Sequence, residues 1–178
     1  MTDWVDILED DISPLRVMEF GLNREFELWQ EADWILPVLD LGPGRKLIRG
    51  AVRLDLPDWD AETMPLPYEE GSVGGIFAMH FLEHLSDPRP LIGEAARVLA
   101  LGCPFTIVVP HGRSKMYLQD CDHKTPFVLD SWDNILNNKY YSKGRQVFSD
   151  YLMRVGFSMV YAVKEGNEAI ITQLIRED

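Results

Sequence analysis

Short apolar runs, most of them closed by a glycine or an acid, follow one another through the middle of the chain. Residues 38–44, VLDLGPG, open with apolar positions that predict a buried strand. Gly42 and Gly44 then allow a sharp turn and a close approach of the backbone to a ligand. Residues 51–55 alternate and end on an acid, which predicts a second strand. Residues 73–79 predict another strand, and residues 105–110 are a continuous apolar run, typical of a strand buried on both faces of a parallel sheet.

The segments before and between these strands have apolar residues at helical intervals. Apolar positions in residues 4–32 predict one or two helices that cover the sheet or the ligand cleft. Asp87-Pro88 predicts the start of a helix that continues to Leu99. Two further helices are predicted at residues 127–136 and 147–155.

The segments between these elements are predicted as loops or turns. Residues 57–67 form a loop in which a third strand is very short or absent, and residues 111–127 form a lid or substrate loop. Residues 157–163 and 169–175 are β-rich runs, and the intervening KEGNE predicts an antiparallel hairpin.

This order predicts the α/β class, as a Rossmann-like, mostly parallel sheet with helices on both faces and a C-terminal antiparallel hairpin. At 178 residues and 46% hydrophobic content, the chain fits a single domain with one core. Its predicted parts are a helical cover (1–34), a ligand-binding core (35–110) and a segment with the substrate loop, helices and hairpin (111–178).

Charge and composition narrow the possible partners. The net charge is −12, from 29 acids against 17 bases, which disfavours nucleic acid as a partner. No apolar run approaches the roughly 18 to 20 residues that cross a bilayer, so we expect no membrane partner and a soluble, cytoplasmic protein. Cys103 and Cys121 have no spacing that predicts a disulfide framework.

The ordered series VLDLGPG, VRLD, DAETMPLPYEEGSVGGIFAMHFLEHL, EAARVLALG and FTIVVPH resembles the class I S-adenosylmethionine-dependent methyltransferases, most closely the type 11 subgroup. The resemblance implies S-adenosylmethionine as cofactor and methyl transfer to a small or medium-sized acceptor. An oxygen, nitrogen or carbon nucleophile remains open. The chain departs from the family at Gly74, where an Asp is usual, and at residues 101–104, where only Gly102 of a Pro-Gly-Gly turn is kept.

A dinucleotide cofactor fits the same stretch poorly. In dinucleotide enzymes a third small residue follows the first two glycines, and an acid lies about 20 residues further on. Here Leu47 stands at the third position, and Asp55 follows Gly44 after a much shorter interval. Both features argue against NAD.

The resemblance also implies a cofactor site. The glycine turn would pass under the amino-acid portion of the cofactor, and Asp40 would help to hold its ammonium group. Asp55 would accept hydrogen bonds from the ribose hydroxyls, and Asp60 would accept one from the adenine amino group. The predicted cofactor-binding residues are Asp40, Leu41, Gly42, Pro43, Gly44, Asp55, Leu56, Asp60, Ala61, Met79, His80 and Phe81.

Three histidines are the candidate catalytic residues, and two of them, His111 and His123, are candidate general bases because imidazole titrates near neutral pH. They are His84, His111 and His123.

Two alternatives remain open. A cofactor-binding but non-catalytic partner subunit is suggested by the departures from the family. A zinc-dependent hydrolase is suggested by HFLEH, which matches H-x-x-E-H through His80, Glu83 and His84, with His123 or Asp122 as a third ligand. The methyltransferase interpretation explains the segment without a metal, so the sequence predicts none.

Overall fold

The computed structural model describes residues 36–44, 48, 50–137, 151–164 and 166–177. The predicted helices of residues 4–32, and residues 147–150 of the helix predicted at 147–155, lie outside the described residues.

The described residues form one six-stranded mixed sheet in the order β2-β1-β3-β4-β6-β5. The strands are β1 (Val38–Leu41), β2 (Val52–Leu54), β3 (Gly75–Met79), β4 (Pro104–Pro110), β5 (Met153–Lys164) and β6 (Asn167–Arg176). The first four run parallel, while β6 is antiparallel to both β4 and β5. The predicted fold class, a mostly parallel Rossmann-like sheet with a terminal antiparallel hairpin, is confirmed.

Burial along the strands follows their position in the sheet. All seven residues of β4 are buried, as expected for a strand with neighbours on both edges and cover on both faces. At the edge, β2 exposes Val52 and Arg53 and buries only Leu54. The central pairing of β1 with β3 brings Leu39 opposite Ile76 in the main core.

The helices follow the local signals. A 3-10 helix spans Leu82–His84, and the α-helices are α1 (Arg89–Val98), α2 (Lys115–Leu118) and α3 (Ser131–Asn137). In α1, Pro88 is the N-cap, and Asp87 accepts a hydrogen bond from the backbone N–H of Arg89 at 3.0 Å. The buried face of α1 consists of Leu91, Ile92, Ala95, Ala96 and Val98. The helix predicted from Asp87-Pro88 is therefore confirmed.

Two elements begin later than the sequence predicts. β3 begins at Gly75 instead of residue 73, because the N–H of Gly74 turns to the carbonyl of Pro37 at 2.9 Å. The helix predicted at 127–136 begins only at Ser131, since Phe127 pairs with His111 in an isolated bridge.

The end of the helix predicted at 147–155 is wrong. Residues 153–155 belong to β5, where Arg154 pairs with Ile175 of β6. By contrast, the described residues 57–67 contain no strand, as predicted. No helix among the described residues has the length and apolar character to cross a membrane.

Candidate functional site

The carboxyl ends of the parallel strands meet at one edge of the sheet. Leu41, which ends β1, pairs with Leu54 of β2 and with Ala78 of β3, and Met79 of β3 pairs with Val108 of β4. The glycine turn, Asp55 and His80 follow directly after β1, β2 and β3. Open α/β sheets bind their ligands at this edge.

The two glycines of the turn serve different purposes. Both have positive φ, 61° at Gly42 and 57° at Gly44. A Cβ at Gly42 would lie 2.1 Å from a ring carbon of Phe81, so the absence of a side chain lets Phe81 pack against the turn. A Cβ at Gly44 would meet none of the described atoms within 4 Å, so the backbone there is open to a ligand.

Asp55 connects the end of β2 to the glycine turn. One carboxylate oxygen, Oδ2, accepts from the N–H of Gly44 at 3.1 Å and from the guanidinium of Arg53 at 2.7 Å. The other, Oδ1, accepts from the N–H of Leu56 at 2.9 Å. Because each carboxylate oxygen offers about two acceptor sites, Oδ1 retains room for one more donor.

Arg53 is a contact that the sequence analysis did not assign. Besides Asp55, its guanidinium donates to the carbonyl of Gly44 at 2.6 Å. The alternation of β2 was the available signal, because it places residues 53 and 55 on the same face of the strand.

Asp40 lies within β1 and is only 2% exposed. Its carboxylate accepts from the N–H of Ile48 at 2.8 Å, across the glycine turn. Burial raises the pKa of Asp40 from 3.8 to about 6, against the opposing effects of the Ile48 hydrogen bond and of Arg53. The carboxyl group is therefore mainly ionised at pH 7 and becomes neutral in mild acid.

Asp60 caps its own turn. Its two oxygens accept from the N–H of Glu62 at 2.9 Å and from the hydroxyl of Thr63 at 3.0 Å. This arrangement is an Asx turn, which supplies a structural role for the residue. Contact with adenine stays a prediction.

The other predicted cofactor residues flank these groups. Leu41 is buried, Pro43 and Ala61 are half-buried, and Leu56 exposes 65% of its surface beside Asp55. The ring of Phe81 lies 6.4 Å from that of Trp59, which is itself buried.

His80 follows β3 in a strained conformation. Its φ is 53°, the one positive value at a non-glycine position in the described part of the chain, and its N–H donates to the carbonyl of Val108 at 2.8 Å. Strain of this kind is typical of functional sites, where the surrounding structure enforces it. Met79 and Phe81 lie on either side of it.

The three candidate catalytic histidines fall into two places. His84 and His123 lie edge to face, with ring centroids 4.8 Å apart. His111 lies instead at the end of β4, where its N–H donates to the carbonyl of Glu168 at 2.9 Å and its Nδ1 is 3.9 Å from the Glu168 carboxylate. His84 and His123 therefore form one cluster, and His111 belongs to the contact with β6.

Glu83 is the second residue that the methyltransferase interpretation left unassigned. It is fully buried, and neither carboxylate oxygen has a hydrogen-bond partner among the described residues. Ring nitrogens of His80 and His123 lie 3.5 Å and 4.0 Å from one of these oxygens. The sequence signal was an acid within an apolar turn that is flanked by histidines.

Comparison with known proteins shows what this region is similar to. Residues 40–107, which contain the glycine turn, Asp55, His80 and α1, match the family model of a methyltransferase domain, type 11. This region is similar to a methyltransferase domain. The predicted resemblance is thereby confirmed over these residues, while the roles of single side chains stay predictions. No curated protein matches the chain significantly.

Solved methyltransferases share the fold of the chain. One from Archaeoglobus fulgidus, described as SAM-dependent, is 15% identical and has a TM-score of 0.58, with 97% of this chain and 100% of that chain covered. The YcgJ protein of Bacillus subtilis is 14% identical, with a TM-score of 0.54 and coverages of 80% and 92%.

A third similar structure is phosphoethanolamine N-methyltransferase 2 of Haemonchus contortus in complex with S-adenosylmethionine. It is 12% identical, has a TM-score of 0.55 and is matched over 61% of its own length by 100% of this chain. At these identities the similarity shows a common fold.

Proposed function

We propose that the protein is an S-adenosylmethionine-dependent methyltransferase acting on a small or medium-sized acceptor. The observation that carries the proposal is the contact between Asp55 and the glycine turn at the carboxyl ends of β1 and β2. It places an acid with spare acceptor capacity beside an open backbone, inside the region that matches the methyltransferase domain.

The cofactor would occupy this edge in one orientation. Its ribose would donate to Oδ1 of Asp55, and its adenine would lie over the exposed side chain of Leu56. Its amino-acid portion would pass along Gly42 and Gly44 toward Asp40. The sulfonium and its methyl group would then face Met79, His80 and Phe81 at the end of β3.

The reaction needs little covalent assistance from the protein. Methyl transfer is an in-line displacement in which the acceptor atom gains the methyl group and the sulfonium becomes a neutral thioether. The site accelerates it by holding the acceptor in line and excluding water. The acceptor's proton would leave to a base or to solvent at this edge.

The departures from the family lie away from this edge. Gly74 precedes β3, and a Cβ there would approach the Leu36 side chain at 3.2 Å. The altered turn at residues 101–104 leads into β4, and the N–H of its retained Gly102 donates to the carbonyl of Arg176 at 3.0 Å. Both positions are at the amino ends of strands, opposite the proposed site. Their location supports a catalytic protein over a non-catalytic partner subunit.

Calorimetry with S-adenosylmethionine and with its demethylated product tests the proposal. We expect both to bind with one site per chain. The assignment would be overturned if neither compound bound at millimolar concentration. Release of demethylated cofactor in a panel of small hydroxyl, amine and carbon acids then separates the enzyme from the non-catalytic subunit, which would bind without turnover.

A further inference from the structure

The buried carboxylate of Glu83 has no ordinary explanation within the proposed reaction. A charge removed from water costs several kcal/mol unless it is paired or coordinates a metal. Glu83 is fully buried and, among the described residues, forms no side-chain hydrogen bond. Imidazole nitrogens approach it only to 3.5–4.0 Å.

Hydrogen bonds hold the loop after α2 in a position that places His123 beside this carboxylate. The backbone carbonyl of Glu83 accepts from the N–H groups of Lys124 at 2.8 Å and Thr125 at 3.0 Å. The hydroxyl of Thr125 donates to the carbonyl of Leu85 at 2.7 Å. These hydrogen bonds fix the backbone next to His123, whose side chain is only 7% exposed.

The tautomer of His123 follows from its partner. Nδ1 lies 2.9 Å from the carbonyl oxygen of Tyr117. A carbonyl only accepts, so Nδ1 carries a hydrogen and donates it. In the neutral ring Nε2 therefore presents its lone pair, and it faces carboxylate oxygens of Asp120 at 3.7 Å and Glu83 at 4.0 Å. Histidines that bind metals are commonly oriented by a carbonyl that accepts a hydrogen bond from the other ring nitrogen.

The lone pair of Nε2 and the buried carboxylate of Glu83 together offer two ligands to a cation. A proton on Nε2 would draw an oxygen to hydrogen-bond distance, about 2.7–2.9 Å for a charged pair. The observed gaps are wider. Ligand atoms around a zinc ion at about 2.0–2.2 Å lie roughly 3.3 Å apart. One ligand atom each from Glu83, His84 and His123 lies within 4.8 Å of the others, so a small contraction would close the site.

We propose that Glu83, His84 and His123 bind a divalent metal ion of the zinc class. Two imidazoles and one carboxylate leave a coordination position open, as in catalytic zinc sites. The site differs from the H-x-x-E-H pattern, because Glu83 is a ligand instead of a base and His123 replaces His80.

The open coordination position could bind the methyl acceptor, because it lies near the proposed cofactor site. Glu83 and His84 follow the end of β3 directly after His80 and Phe81, so the ion would lie beside the site of methyl transfer. A hydroxyl bound to the ion would have a lowered pKa and lose its proton to solvent. Its oxygen would then take the methyl group as the sulfonium becomes a thioether. The assignment of an oxygen acceptor, unlike the metal site, rests on the proposed function.

Cobalt(II) is the probe for the metal site. Metal-free protein titrated with Co²⁺ should bind one equivalent and develop the visible absorption of a tetrahedral Co²⁺ centre. Acetohydroxamate, an oxygen-donor probe, should shift these bands by entering the open position. No stoichiometric binding overturns the metal site, and bands that acetohydroxamate leaves unchanged overturn the open position.

Five variants assign the ligands. Glu83→Gln, His84→Ala and His123→Ala should each lose the absorption, whereas His80→Ala and His111→Ala should keep it. Glu83→Gln removes a buried charge and should fold at least as stably as the parent without metal, so its result stands even if a histidine variant unfolds. Retention of cobalt by folded Glu83→Gln, or its loss in His80→Ala with retention in His123→Ala, overturns the proposal.

Calorimetry of the same protein with demethylated cofactor separates the two proposals. Cofactor binding without cobalt binding overturns the metal site alone. Cobalt binding without cofactor binding overturns the methyltransferase assignment and leaves the metal site standing.

Discussion

At the residue scale, Asp55 and Arg53 set the electrostatics of the proposed cofactor site. The guanidinium bridges the Asp55 carboxylate and the carbonyl of Gly44, so the turn is held even without a ligand. A bound ribose would add to this network instead of building it. Preorganisation of this kind reduces the entropic cost of binding.

Replacing Asp55 by Ala should weaken binding of the demethylated cofactor by about 1–3 kcal/mol, the range for hydrogen bonds to a charged group. The variant loses the ribose acceptor and the anchor of the Gly44 N–H together. Calorimetry measures the dissociation constant. Asp58→Ala, an exposed acid of the same loop, is the matched control and should bind as the parent does. Unchanged affinity in Asp55→Ala would show the ribose assignment to be wrong.

At the element scale, Arg176 of β6 ties the hairpin to the end of α1. Its guanidinium donates to the backbone carbonyls of Arg97 and Leu99, and it lies 3.2 Å from the carboxylate of Glu70. Only 8% of the residue is exposed. A cation at the carboxyl end of a helix also interacts favourably with the helix dipole.

Arg176→Met should lower the free energy of unfolding by about 2–3 kcal/mol, because buried carbonyls lose a charged donor while the apolar bulk is kept. Urea unfolding gives the value. The control is Arg154→Met on β5, where the exposed guanidinium pairs with Glu177 at 3.0 Å. An exposed pair contributes about 0–1 kcal/mol, so this change should be small. Equal losses in the two variants would contradict the structural role of Arg176.

The same scale shows what the sequence could predict. The strands β1 and β4 and the helix α1 have local signals: a glycine turn, a continuous apolar run, and a proline before a period of buried positions. The first residues of β5 have none, because they are fixed by pairing with β6 and also fit a helical pattern.

The candidate site divides in the same way. The order of motifs predicted that Asp55 follows the second strand at the ligand edge, since strand and turn are encoded locally. The meeting of His84 with His123 depends on hydrogen bonds from Lys124 and Thr125 to the carbonyl of Glu83. The spacing of the histidines in the sequence therefore does not predict that His84 and His123 are in contact.

At the scale of the whole molecule, several carboxyl groups couple stability to pH in opposite directions. Burial raises the pKa of Asp40 to about 6. Hydrogen bonds hold the pKa of three other carboxyls below the ordinary value: from Ser86 to Glu62, from Tyr151 to Glu70 and from Arg97 to Glu94. These glutamates add stability above their unfolded pKa, and it is lost as the pH falls below that value.

The contribution of Asp40 to the free energy of unfolding should be lower at pH 8 than at about pH 4.5. Its folded form binds more protons than its unfolded form between 3.8 and about 6, so the free energy of unfolding falls as pH rises through that window. Asp40→Asn keeps an acceptor for the N–H of Ile48 and removes the charge. It should gain about 1–3 kcal/mol over the parent at pH 8, since one pKa unit corresponds to about 1.4 kcal/mol.

Urea unfolding of both proteins at the two pH values measures the effect. Asp58→Asn, at an exposed position, is the control and should leave the pH dependence unchanged. A parallel pH dependence in Asp40→Asn and the parent would show that Asp40 is not the group responsible. If Asp40 also holds the cofactor's ammonium group, the stabilised variant should bind the cofactor more weakly.

The position of β4 has a consequence for synthesis on the ribosome. All seven residues of this strand are buried, and one of its edges pairs with β6, which is translated only after the segments that contain α2, α3 and β5. Until β6 emerges, the nascent chain presents an apolar strand with an open edge, which invites pairing with other chains. A chaperone that shields strand edges would therefore act on this protein in the interval between the translation of β4 and that of β6.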